Sequence, residues 1–130
     1  RKTGLNVEWH GKGELSHNQM LDLFASTRIY VGISLSDGIS TSLLEAMAMG
    51  AFPIQTSTAC VDDWFGKANS GIAIKSPSPQ PIVDSLSRAL AMSPAAGTRA
   101  QEANRTMISK RAFGPSIRPW AQYFYLGKVT

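Results

Sequence analysis

The sequence predicts a parallel α/β domain, and three observations predict it. Strand-like and helix-like stretches alternate along the chain, the order that a parallel sheet with crossover helices requires. RIYVGISL, residues 28–35, is apolar and β-branched almost throughout. A strand buried on both faces of a parallel sheet has that composition. Helix ends carry their own chemistry, Ser16 with Gln19 at one start and Gly50 at one stop. The serine and glutamine side chains can take up open N–H groups, and glycine can close a helix in a left-handed conformation.

LNVEWH, residues 5–10, alternates apolar and polar side chains and reads as a strand, ended by Gly11 and Gly13. Ser16 then opens a helix, with Gln19 completing a capping box. Met20, Leu21, Leu23 and Phe24 supply its apolar face. After strand 28–35, a second helix begins beyond Ser40 and stops at Gly50. AFPIQT, residues 51–56, is the next strand, with Pro53 near its start, where a missing N–H is tolerated. GIAIK, residues 71–75, is another.

The remainder is helical. Ser78-Pro79 offers a cap followed by proline in the first turn, and Ile82, Val83, Leu86, Ala89 and Leu90 recur at helical spacing. Pro94 is expected to break the chain, with a weaker helix from Thr98 to Ser109. Pro115 and Pro119 bracket a turn, and WAQYFY, residues 120–125, forms a short aromatic helix. One domain is expected over residues 1–130, its closing helices falling between 79 and 126. About four strands make a small sheet for this class. A complete Rossmann-like domain begins with a further βαβ unit, so its N-terminal part is expected to be missing.

Bulk properties exclude several classes. The chain has 130 residues, enough for one core and not for two. Hydrophobic residues make up 43% and charged ones 17%, a globular and not a disordered composition. Thirteen Lys and Arg against nine Asp and Glu give +4. They are scattered, with only Arg1-Lys2 and Lys110-Arg111 adjacent, so no nucleic-acid stripe exists and no nucleic-acid partner is expected. A mild positive balance suits an anionic small ligand or a membrane-adjacent enzyme. Cys60 is the only cysteine, which excludes an intrachain disulfide and fits a reducing compartment. No apolar run approaches the ~18 residues of a membrane span. The expected location is the cytoplasm, with a peripheral place at the inner face of a membrane left open.

One stretch carries the chemistry. In the helix after Ser40, Glu45 lies among Leu43, Leu44, Ala46, Met47, Ala48 and Met49. A helix apolar all round is a buried helix, and a carboxylate there is costly unless something pairs with it. No Lys or Arg lies within one turn. A distant basic residue, a helix end in a wet cleft or a polar ligand would each answer the charge. Two adjacent hydroxyls, as on a ribose, suit an acceptor-only carboxylate. Eight residues upstream, Asp37-Gly38 sits where strand 28–35 should end, with Ser40, Thr41 and Ser42 following. Ligands of open α/β sheets bind beyond the carboxyl ends of strands, and open N–H groups at a helix start attract phosphate. The plainer readings are a distant ion pair for Glu45 and an ordinary Asp-Gly turn.

The run DGISTSLLEAMAMGAFP, residues 37–53, resembles the signature of the retaining glycosyltransferases with the GT-B fold. That signature is Glu, seven residues, Glu-Ala-Met-Ala, then Gly, a spacer and Pro. GELSHNQMLDLFASTRIYV, residues 13–31, is similar to the family's segment from its base-binding loop into the next strand. SGIAIK and PWAQYFY resemble its later strand and its closing aromatic helix. The resemblance implies a family 4-like, C-terminal, donor-binding domain, one half of a GT-B fold. It implies that Glu45 holds the ribose hydroxyls and that the N–H groups of Thr41 and Ser42 bind the diphosphate. Asp37 would act near the reacting centre of the sugar, backbone from Gly38 through Ile39 to Ser40 would line the sugar pocket, and Gly13, Glu14 and Leu15 would flank the base. The implied donor is a UDP-, GDP- or ADP-sugar, the acceptor a glycan, lipid or small molecule, with no cofactor and no metal. It also implies an acceptor-binding domain outside this chain as partner, without which no transfer is expected.

The chain departs from the signature twice. Asp37 replaces the first Glu, and Ser40 replaces a glycine. A non-catalytic module of the same fold and a domain related to sugar-nucleotide epimerases are therefore alternatives. Weaker signals have bland readings. Asp62-Asp63 reads as a solvated loop or helix cap, and His10 and His17 have no metal-ligand spacing. His17 follows the base loop and is a further pocket candidate. Cys60 lacks a nearby His for nucleophilic work, and Trp64, Phe65, Trp120, Tyr123 and Tyr125 read as core or interface.

Overall fold

A computed structural model describes His10, residues 13–36, Gly38, and residues 40–58, 60–65 and 70–111. The strand expected at 5–10 and the aromatic helix at 120–125 lie outside these, His10 apart, which belongs to no regular element. The described residues form α1 (His17–Ser26), β1 (Ile29–Gly32), α2 (Thr41–Met49), β2 (Phe52–Thr56), α3 (Val61–Phe65), β3 (Ile72–Ile74), α4 (Pro79–Leu90) and α5 (Pro94–Arg111). The strands make a parallel sheet in the order β1-β2-β3, flanked by helices. The α/β class read from the sequence is the class found, a Rossmann-like arrangement of the kind found in half of a GT-B fold.

Alternation along the strands sorts the core into two faces. Ile29 and Val31, Phe52 and Ile54, and Ile72 and Ile74 pack with Ile82, Leu86 and Ala89 of α4 and Ala100 of α5. Tyr30 and Ala73 point the other way. There they meet Leu43 and Met47 of α2, Val61 and Phe65 of α3, and Met107 and Ile108 of α5. Phe24, Ala46 and Ala51 close a third cluster between α1 and α2. All five residues of β2 are buried, as a central strand requires.

Pro53 is compatible with that central position. Phe52 N–H donates to the Arg28 carbonyl at 2.9 Å. The next nitrogen therefore faces away from β1, and β3 begins to pair only at Ile54. No ladder bond is lost at Pro53.

Strand β1 is shorter than the expected 28–35, and the cause lies in β2. The Thr56 hydroxyl accepts from Ser34 N–H at 2.9 Å and donates to the Ser34 carbonyl at 2.7 Å. A side chain thus satisfies both backbone groups of Ser34, and the ladder ends at Gly32. Gly32 itself has no room for a side chain, since a Cβ there would collide with the buried amide of Gln55.

The closing helices differ from expectation in two ways. Pro94 does not break the chain; it begins α5, which runs 18 residues. Ser93 accepts from Ala96 N–H at 3.3 Å, and proline in the first turn loses nothing because its N–H would be open anyway. In α4, Ile82, Leu86 and Ala89 face the sheet, whereas Val83 and Leu90 are both 55% exposed. Each is rotated from an inward residue by one step of about 100°.

Helix α5 also fastens the elements around it. Asn104, fully buried, donates to the Ser70 carbonyl at 2.8 Å. Arg111 donates to the Asp63 carbonyl at 3.1 Å and lies over the Trp64 ring. Asp62 and Asp63, expected in a loop or at a cap, lie inside the first turn of α3, where Asp62 accepts from the Ser57 hydroxyl. Cys60 is an exposed free thiol.

Candidate functional site

The candidate site forms around α2. Ser40 caps the helix with its hydroxyl, which accepts from Leu43 N–H at 3.4 Å, and its carbonyl takes Leu44 N–H. The N–H groups of Thr41 and Ser42 precede those bonds and have no acceptor among the described residues. Both residues are exposed. The start of α2 is thus an open pair of donors at the positive end of a helix.

Glu45 is four residues from Thr41 and three from Ser42, so all three share a helix face. Four residues of helix rise about 6 Å. The Glu45 backbone therefore sits one turn below the open donors, and its side chain leaves the helix tilted back toward them. Its side chain is 25% exposed, neither core nor free in solvent. The opposite side of α2 carries the burial. Leu43, Ala46 and Met47 are inaccessible, while Ala48 is exposed and Leu44 and Met49 are half-buried. The composition suggested a helix apolar all round; the fold leaves one side of it open.

A polar neighbour to Glu45 comes from α1. Ser16 accepts from Gln19 N–H at 3.3 Å and donates its own N–H to the Gln19 side chain at 2.8 Å. The expected capping box is complete. It fixes the first turn, whose first residue is His17. His17 Nδ1 lies 3.8 Å from Glu45 Oε1, with the imidazole 67% exposed. Leu15, half-buried, and Gly13 and Glu14, exposed, lead into this turn. The fold thus brings the stretch 13–17 beside the one acid of α2.

The loop from β1 to α2 completes the surroundings. Ile33 and Leu35 are 52% and 86% exposed there. Gly38 is exposed with open space where a Cβ would be. Asp37 and Ile39 lie outside the described residues. Among the described residues no three His, Cys, Asp or Glu side chains cluster as a metal site would need. No described helix is long and apolar enough to cross a membrane.

His17 is one of the pocket candidates expected from the sequence, whereas Thr56 is not. A signal for His17 existed, since it directly follows the capping serine after the loop at 13–15. Nothing local points to Thr56, because its partner is 22 positions away.

A family model for glycosyl transferases group 1 matches residues 1–107. The chain belongs to this family. It is a glycosyltransferase domain, and the family as a whole implies a nucleotide-sugar donor. The match covers α1 through α4 and most of α5, including every residue named around α2. No curated protein matches the chain.

Proposed function

We propose that the chain is the C-terminal, donor-binding half of a retaining, family 4-like GT-B glycosyltransferase. One observation carries the reading: Glu45 lies one turn below the open N–H groups of Thr41 and Ser42, on the same helix face. A nucleoside diphosphate joins ribose directly to phosphate, so a carboxylate that can accept from a diol, one turn along the same helix face from open phosphate donors, suits it.

In this reading Gly13, Glu14 and Leu15 flank the base of a UDP-, GDP- or ADP-sugar. Glu45 accepts from the ribose hydroxyls. Thr41 and Ser42 N–H groups donate to the diphosphate. Backbone from Gly38 through Ile39 to Ser40 lines the sugar, and Asp37 acts beside its reacting carbon. Transfer breaks the bond between that carbon and the phosphate oxygen, whose electron pair leaves on the diphosphate, and joins the carbon to an acceptor hydroxyl oxygen, whose proton passes to the departing diphosphate or to solvent. The open start of α2 would stabilise that growing charge, which is the main electrostatic demand of the reaction. The reading calls for no metal and no cofactor. The acceptor, a glycan, lipid or small molecule, would be held by a second domain. That domain would cover the apolar side chains of Ile33 and Leu35. Work in the cytoplasm, at a membrane's inner face or free of it, fits these substrates.

Calorimetric titration of the full-length protein with UDP, GDP and ADP tests the reading. Binding of one of them is expected, and the absence of heat with all three would refute it. Asp37→Asn is expected to lose turnover while keeping nucleotide affinity; a fully active Asp37→Asn enzyme removes Asp37 from the chemistry.

A further inference from the structure

We propose that His17 is a positioning residue for Glu45 and, through it, sets how strongly the site reads ribose hydroxyls. The inference rests on the nucleotide reading above. Its observations are the 3.8 Å separation of His17 Nδ1 from Glu45 Oε1 and the capping box that holds His17 in place.

That distance is too long for a direct hydrogen bond, but a small rotation of either side chain would bring an imidazole N–H within reach of the carboxylate. Among the described residues no other basic side chain pairs with Glu45. A glutamate has three side-chain torsions, and a lone carboxylate at a half-open position can point several ways. An imidazole on one side biases it toward one direction. One carboxylate oxygen then faces α1, and the other is free to accept from a diol. The main chain under His17 is pinned by both bonds of the capping box, so the imidazole approaches from a fixed base. Its 67% exposure leaves its outer edge in solvent. His17 acts on the ligand through Glu45, and its effect vanishes when the ligand has no hydroxyls for Glu45 to hold.

The test is a ligand cycle on the full-length protein. Whichever of UDP, GDP and ADP binds most tightly, and its 2′,3′-dideoxy counterpart, are titrated into wild type, His17→Ala, His17→Gln, Glu45→Ala and the double variant. His17→Ala is expected to weaken the ribose ligand about fivefold, the scale of coupling between neighbouring polar groups. It should leave the dideoxy ligand unchanged and add nothing in the Glu45→Ala background. His17→Gln, whose amide can donate to a carboxylate, should recover most of the loss. Equal losses with both ligands would mean a direct contact or a disturbed α1, and would overturn the proposal. So would no loss with either. If Glu45→Ala itself fails to discriminate the two ligands, the ribose reading falls and this inference falls with it. If Glu45→Ala discriminates and His17→Ala does not, the inference alone falls.

Discussion

At its carboxyl end α2 is closed by several contacts; at its amino end two N–H groups stay open. Gly50, at φ 99°, turns the chain in the left-handed region. Its N–H reaches the Met47 carbonyl at 3.2 Å, and Ala51 N–H reaches Ala46 at 2.9 Å. These two bonds form a Schellman motif. Arg105 of α5 adds a third, donating to the Met49 carbonyl at 3.1 Å. At the start, Ser40 satisfies only Leu43 and Leu44. One end of the helix is thus closed by its own backbone and by α5, while the other keeps the open first-turn donors that any helix start leaves beyond its cap.

The largest effect should come from the core that both ends share. Leu43 is inaccessible, and Leu43→Ala is expected to cost about 2–5 kcal/mol in chemical unfolding. A loss well below that range would mean α2 is not anchored as described. Next, Gly50→Ala breaks the closed end selectively. The left-handed conformation costs a side chain about 1–2 kcal/mol, and the added methyl would displace the Arg105 guanidinium. Stability should fall by that amount with nucleotide affinity kept. A fall in affinity as large as the fall in stability would couple the two ends and blur the contrast. The smallest effect should come from the open end. Ser40→Ala removes a single cap and should cost about 1 kcal/mol in thermal unfolding. A much larger cost would show that this end is more tightly knit than its hydrogen bonds indicate.

Both ends of α2 were legible in the sequence, because caps are local chemistry. Ser40 and Gly50 stand within a turn of the groups they satisfy. The capping box of Ser16 and Gln19 was legible for the same reason. The end of β1 was not, because Thr56 sets it from a neighbouring strand. The start of α5 was misread because proline stops one helix and starts another, and Ser93 decides between the two. Val83 and Leu90 looked like core by spacing, but the contact stripe of α4 is narrower than its apolar stripe. In the candidate site, Thr41, Ser42 and Glu45 came together only through the family resemblance, because the composition of α2 read as apolar all round and did not show which side the fold leaves open. The approach of His17 to Glu45 did not, since it depends on how α1 packs on α2.

The central claim is that the open end of α2 and the acid below it hold one nucleotide. Calorimetric titration of the full-length protein and its Glu45→Ala variant with the tightest-binding of UDP, GDP and ADP tests it most directly. Truncating Glu45 is expected to weaken binding by about 1.5–3 kcal/mol, the scale of hydrogen bonds to a charged group, with the melting temperature little changed. Unchanged affinity in a folded Glu45→Ala protein would contradict the account.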